Sequence, residues 1–507
     1  MNSNTRIAKN TVFLTIRMVF VMLVSLYTSR VFLEVLGVED YGIMNVVAGF
    51  VSMFSFIKTS LSNATQRFYN YEMGANGEQS VSYVYSTSLV IQIGIGVVVV
   101  ILLETFGLWY LNNKMVIPDD RYHIAFWLFQ LSTISSFITI LQIPYLAALM
   151  AYEKMGFYAF LSILEVILKL LFAFIIPYVP IDKLLSFGYF TFLLTVFVFI
   201  INYVYCRKKF PYLKWSKPDR SKGLPRQMLA FTGWNAFGSF SISVREQGLN
   251  MILNLFFGPI MNSARGIAYQ VTGAINGLVQ SLSVASQPQI MQNYAQGFHS
   301  HALQLMFSIS KLGYILMYMM AVPVILEIHC ILSIWLGDTV PEYTAPFIRI
   351  IILTSLFNTL NAQISTMVHA SGNMRNYQVI TSLFCLLILP FSYIYLRYFN
   401  NPVGVFFIML SIIAINYIIS LFILKTIMEF SLLRYIKDVV FPLMLSSVVS
   451  IVIPILAHYL ISPGFLRLLI VTILSIISVG LTFYLISLNK GEKEFFINTI
   501  TRKNQSI

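Results

Sequence analysis

Apolar runs of about 20 residues recur from one end of this 507-residue chain to the other, separated by short polar breaks. A helix of roughly 20 apolar residues crosses the hydrocarbon of a bilayer. No water is available there to bond the backbone, so each run must satisfy its own N–H and C=O groups, as an α-helix does. The runs begin near residues 11, 42, 80, 122, 156, 184, 227, 266, 303, 344, 376, 402, 437 and 464. They predict an all-α polytopic membrane protein of about 14 transmembrane helices. Composition agrees: 58% of residues are hydrophobic, 10% are charged and the mean hydropathy is +0.78. Arg6 and Lys9 precede the first run, which has no small-residue cleavage site and reads as a retained span. Cys206, Cys330 and Cys385 lie in or beside apolar segments, so no disulfide framework is indicated.

In a soluble chain a net charge of +13 would point to nucleic acid; here it is a matter of topology. Lys and Arg collect in alternate loops, while the intervening loops carry Glu34, Glu39, Asp40, Asp119, Asp120, Asp338 and Glu342. The positive-inside rule then places both termini in the cytoplasm, since the number of spans is even. The densest basic run, RKKFPYLKWSKPDRSKGLPR at 207–226, reads as a cytoplasmic linker that fixes topology between two halves, the alternative being a patch for anionic headgroups of membrane lipids. The same pattern recurs on either side of that linker. Gly42, Val47 and Gly49 return as Gly266, Val271 and Gly273, and Gln66, Asn70, Tyr71 and Gly74 as Gln289, Asn293, Tyr294 and Gly297. Gly37 and Gly258 precede the two copies, each by a short loop. The unit repeated holds six helices, and an even unit keeps its orientation. The sequence therefore predicts two six-helix lobes related by a pseudo-two-fold axis along the membrane normal. The expected boundaries are 1–206 for spans one to six, 207–226 for the linker, 227–425 for spans seven to twelve, and 426–507 for two further helices and a cytoplasmic tail.

Span seven, FTGWNAFGSFSISVREQGLNMILNLFFG at 231–258, is long enough to cross but too polar to face lipid. It must line a protein interior or a wet cavity. Arg245 lies near its middle, with Gly238, Ser241 and Gly248 on the same side and Glu246 about 100° away around the helix. Charges at membrane depth are functional candidates because burying them is costly. The cationic candidates are Arg245, Arg17, Arg30, Lys58, Lys169 and Arg67, and the acids that could take a coupling ion are Glu165 and Glu246. Some have a local partner or an exit. Glu165 with Lys169, and Arg30 with Glu34, have the favourable i,i+4 order, while Arg67, Lys58 and Lys311 are near enough to the cytoplasm to snorkel. Lys311, Glu327 and Arg349 complete the set in the second half. A basic cavity in low dielectric selects an anion, and guanidinium suits phosphate oxygens. No phosphate-binding loop, zinc-type Cys/His spacing or hydrolase elbow occurs, so neither enzyme chemistry nor a metal or other cofactor is expected.

The N-terminal third, with Leu36-Gly37-x-x-x-Tyr41-Gly42 and Ala64-Thr65-Gln66-Arg67-Phe68, resembles bacterial polysaccharide and O-antigen flippases of the multidrug/oligosaccharidyl-lipid/polysaccharide (MOP) export superfamily. Length, the two lobes, the basic linker and two extra C-terminal helices agree over the whole chain. The resemblance implies a non-enzymatic transporter in the bacterial inner membrane that moves undecaprenyl-diphosphate-linked oligosaccharide to the periplasmic leaflet by alternating access. It implies an H⁺ or Na⁺ partner and other polysaccharide assembly proteins, and no nucleic acid. An ion-coupled multidrug exporter of the same superfamily is the alternative, though span one offers arginines where that group looks for an acid. A polysaccharide polymerase or ligase is disfavoured by the short outer loops.

Overall fold

In a computed structural model the chain is helical, with no strand among the described residues, 3–76, 81–152, 154–216, 224–337, 339–489 and 491–493. The side chains of residues 3–19, and of some residues in 63–76, 224–236 and 281–295, also lie outside the description. So do the middle of the basic linker, the C-terminal tail and the side chains of Arg17 and Asn235. The chain divides into two compact units, Met1–Gly266 with Ser392–Pro402, and Ile267–Phe391 with Val403–Ile507.

The first unit holds α1 (Ser3–Ser52), α2 (Ser55–Asn76), α3 (Val81–Leu102), α4 (Leu108–Asn113), α5 (Tyr122–Leu141) and α6 (Ile143–Ala151). It continues through α7 (Met155–Ile175), α8 (Lys183–Lys209), α9 (Leu224–Phe257) and the first turns of α10 (Pro259–Ala295). The second unit holds the rest of α10, then α11 (His299–Leu326), α12 (Ile328–Leu336), α13 (Thr344–Ser371), most of α14 (Arg375–Phe399) and α15 (Pro402–Ile427). It ends with α16 (Leu432–Tyr435), α17 (Phe441–Ser450), α18 (Val452–Leu460) and α19 (Phe465–Ile486). Among the described residues, eleven stretches are long and apolar enough to cross a membrane. Three of the expected starts have no such stretch of their own. The start near 42 falls inside the stretch Phe20–Ser52, and those near 227 and 266 fall on α9 and α10. These two helices are 34 and 37 residues long, so polarity and not length is what sets them apart. Apolar side chains such as Val98 and Leu193 in one unit, and Ile473 and Leu481 in the other, stay more than half exposed, as a lipid-facing surface requires.

The two breaks that open the repeated units are single residues where short loops were expected. α1 bends at Gly37 (φ 82°), and Gly258 (φ 73°) separates α9 from α10. A positive φ costs a residue with a Cβ, so glycine lets each helix turn without a loop. The offset of 221 that carries Gly37 onto Gly258 also carries Val38, Gly42 and Asn45 onto Pro259, Ser263 and Gly266. Those residues touch one another reciprocally: Ser263 Oγ donates to the Val38 carbonyl, Gly42 lies on Pro259, and Asn45 covers Gly266. The residue identities repeat at 224 and then 223, less than one helical turn away from this geometric offset.

A Cβ at Gly42 would run into the Pro259 carbonyl, which is backbone and cannot rotate aside. Gly42→Ala is therefore expected to cost about 1–3 kcal/mol, read as a lower melting temperature of the purified protein in detergent. An unchanged melting temperature would show that the helices separate there at no cost.

Polar side chains in α9 do structural work at its C-terminal end. Asn254 accepts from Val116 N at 2.9 Å and donates to Val116 O at 3.2 Å. Asn250 donates to Asn45 O at 3.0 Å, and Asn262 donates to Asn250 O and Oδ1, both at 2.7 Å. Asn250, Asn254 and Asn262 are buried, so at this end the polar load of α9 faces protein. Outside the spans, Arg121 bridges Asp182 at 2.6 Å and Asp40 at 3.3 Å, tying the starts of α5 and α8 to α1. Asp182 also caps α8 by accepting from Leu184 N at 2.9 Å.

In the second unit α19 packs on α11, α17 and α18. Lys311 does not snorkel as expected. It is 1% exposed and donates to Glu492 Oε2 at 2.6 Å and Ser487 O at 3.3 Å. A carboxylate supplied by the segment after α19 gives the ammonium its counter-charge inside the protein, so it has no need to reach water. Glu327, in the single-residue break between α11 and α12, is fully buried. His458 Nδ1 lies 2.7 Å from its Oε1, and Arg467 donates to Oε2 through Nε at 3.1 Å and NH2 at 2.9 Å. Arg349 Nε donates to Ile325 O at 3.2 Å nearby.

Candidate functional site

Among the described residues of the first unit, Arg245, Glu246 and Arg265 form the most enclosed cluster of charge, with side-chain exposures of 12%, 22% and 7%. The Arg245 guanidinium contacts Glu246 Oε1 through NH2, with Nε 3.1 Å away. Arg265, from the second turn of α10, donates through NH2 to Glu246 O at 2.5 Å and reaches Glu246 Oε2 at 3.3 Å. The single-glycine break at Gly258 turns the start of α10 back toward α9 and brings residues 246 and 265 together. One carboxylate thus holds two guanidiniums, and these three side chains together sum to one positive charge. Guanidinium offers five donors in a planar fork, the geometry that suits carboxylate and phosphate oxygens.

Two points differ from the sequence expectation. The 100° between Arg245 and Glu246 does not keep them apart, because a long arginine side chain wraps around the helix when desolvation rewards it. Arg265 was missed altogether. The expected start near 266 placed it outside the helix, whereas α10 begins seven residues earlier, at Pro259. Its place beside the repeated Gly266 was the available signal.

The remaining candidates fall into separate groups. Glu165 and Lys169 pair at 2.8 Å on α7 and are about two-fifths exposed. Lys58, half-buried on α2, lies within electrostatic reach of both. Two lysines and one glutamate thus form a second locally positive group. Arg30 and Glu34 pair at 2.8 Å on α1, with exposures of 36% and 45%. Arg67 is exposed on α2. The backbone at Arg17 belongs to α1, but its side chain lies outside the described residues.

A search with family models gives no match, and neither does one through curated proteins. Solved structures do match. The chain is similar to the lipid II flippase MurJ in an inward closed conformation, with a TM-score of 0.72 at 15% identity over 94% of this chain and 98% of that one. It is similar to an inward-facing multidrug resistance MATE family transporter of the MOP superfamily, with a TM-score of 0.64 at 14% identity over 82% and 99% of the two chains. A MOP superfamily transporter from Pyrococcus furiosus matches with a TM-score of 0.62 at 15% identity over 82% and 95%. At such identities the likeness concerns the fold. The chain is thus a polytopic, all-helical membrane protein with the fold of MOP superfamily transporters.

Proposed function

We propose that this protein is a flippase for lipid-linked oligosaccharide, moving an undecaprenyl-diphosphate-linked glycan across the bacterial inner membrane by alternating access, with both termini cytoplasmic. The observation that carries this reading is the Arg245–Glu246–Arg265 cluster: two guanidiniums share one carboxylate on helices of membrane-crossing length. A diphosphate presents several oxygens to such a pair, and each charge-assisted hydrogen bond formed there is worth about 1.5–3 kcal/mol. The likeness to a lipid II flippase over 94% of the chain supports the same class of cargo, against 82% for the multidrug transporter. The Lys/Arg asymmetry of the loops supports the orientation. Coupling to H⁺ or Na⁺ and association with polysaccharide assembly proteins belong to the same proposal.

An ion-coupled multidrug exporter is the second reading, favoured by the MATE likeness and by the acids Glu165 and Glu246. Each of those acids already holds a basic side chain, which makes it a poor seat for a coupling cation. The deciding experiment uses the purified chain in proteoliposomes containing a fluorescent polyprenyl-diphosphate glycan. Its translocation should be accelerated, and a monophosphate analogue should move more slowly. Transport of cationic drugs without any movement of the diphosphate lipid would refute the proposal.

A further inference from the structure

A groove of about 450 Å³ in the second unit has no part in the transport reading. Its lining includes Tyr294, His299, Gln304, Phe307, Glu429 and Arg434. Two turns build it. One joins α10 to α11 through Gly297 (φ 85°), where Phe298 N bonds Asn293 O at 2.9 Å. This is the second copy of the repeated Asn-Tyr-x-x-Gly motif, whose Tyr294 enters the lining. The other joins α15 to α16, where Ser431 Oγ accepts from Arg434 N at 3.3 Å. α11 and α15 are of membrane-crossing length, so their ends place the groove at the boundary between hydrocarbon and water.

The chemistry of the groove changes with depth. Phe307 and Phe430 meet edge to face at 6.2 Å and pack on the buried Tyr435, forming an apolar floor. Tyr294 and His299 have ring centroids 4.5 Å apart and form one wall. Phe298 and Leu433, 55% and 78% exposed, neighbour the lining residues with apolar surface. Arg434 is 63% exposed and touches one carboxylate, Asp438, at 3.4 Å, which leaves most of its donors available. Glu429 is exposed and has no ion-pair partner among the described residues.

We infer that this groove is a binding site for a phospholipid with a zwitterionic headgroup of the phosphoethanolamine type. Arg434 takes the phosphate, Glu429 and Gln304 accept from the primary ammonium, and the apolar flank lies along the first carbons of the tails. Paired opposite charges at one mouth select a ligand that carries both. A purely anionic head would be repelled by Glu429, and a quaternary head has no N–H to give it. The inference is independent of what the protein transports.

The test is native mass spectrometry of the full-length protein released from micelles with an equimolar mixture of phosphatidylethanolamine, phosphatidylcholine and phosphatidylglycerol of matched tails. The wild type should retain the ethanolamine lipid about tenfold over the others, the effect of one charge-assisted contact. Glu429→Gln should abolish the preference over phosphatidylglycerol, and Arg434→Gln should weaken retention of all three. Both residues are exposed, so unchanged melting temperatures are expected and serve as the folding control. Equal retention of the three lipids by the wild type, or an order that Glu429→Gln leaves intact, would overturn the assignment. A preference for phosphatidylcholine would do the same, pointing instead to the aromatic rings and a cation–π site. Displacement of the bound lipid by free phosphoethanolamine at equal concentration would show that the tails contribute nothing and would also refute a lipid site.

Discussion

Arg245→Ala is expected to insert at the wild-type level and to bind diphosphate-linked glycan about 10- to 100-fold more weakly. In a flippase-deficient strain it should fail to restore surface polysaccharide. Insertion survives because Glu246 keeps Arg265, through its backbone carbonyl at 2.5 Å and its carboxylate at 3.3 Å. Arg245→Lys should recover part of the function, since charge remains and the planar fork is lost. Glu246→Ala should behave differently. It leaves two arginines of 12% and 7% exposure facing each other without their shared carboxylate, a loss of about 3–5 kcal/mol that shows as poor insertion. Measuring membrane abundance beside surface polysaccharide separates the two outcomes. Full complementation by Arg245→Ala at normal abundance would end the case for this arginine as a ligand.

A stability effect of the same size is expected around Glu327. Arg467→Leu leaves a carboxylate of 0% exposure with His458 alone to hold it, and should cost about 3–5 kcal/mol. The double variant Glu327→Leu/Arg467→Leu removes both charges and should regain most of that loss, because two apolar side chains need no desolvation. The check is a double-mutant cycle of thermal melting in detergent. Simple additivity would mean that the pair is not energetically coupled and that α19 is held to α11 by apolar packing alone.

These two clusters show where reading the chain succeeds and where it stops. Arg30 with Glu34 and Glu165 with Lys169 were legible because four residues along a helix bring side chains to one face, and both pairs close at 2.8 Å. Arg467 is 140 residues from Glu327, and Glu492 is 181 residues from Lys311. A scan for apolar runs records each such residue only as a polar interruption. It contains nothing about which distant carboxylate will repay the burial. Lys311 consequently looked like a side chain reaching for water.

The sequence by itself determined the class, all-helical and polytopic, since a bilayer leaves the backbone one local solution, and glycine at Gly37 and Gly258 marks where the helices turn. Tertiary structure alone decided which buried charges meet. It turned the start of α10 back toward α9, placed Arg265 beside Glu246 and gave Lys311 its carboxylate. Counter-charges in low dielectric are chosen by proximity in space, and proximity across a helix break or across 181 residues is a property of the packed helices.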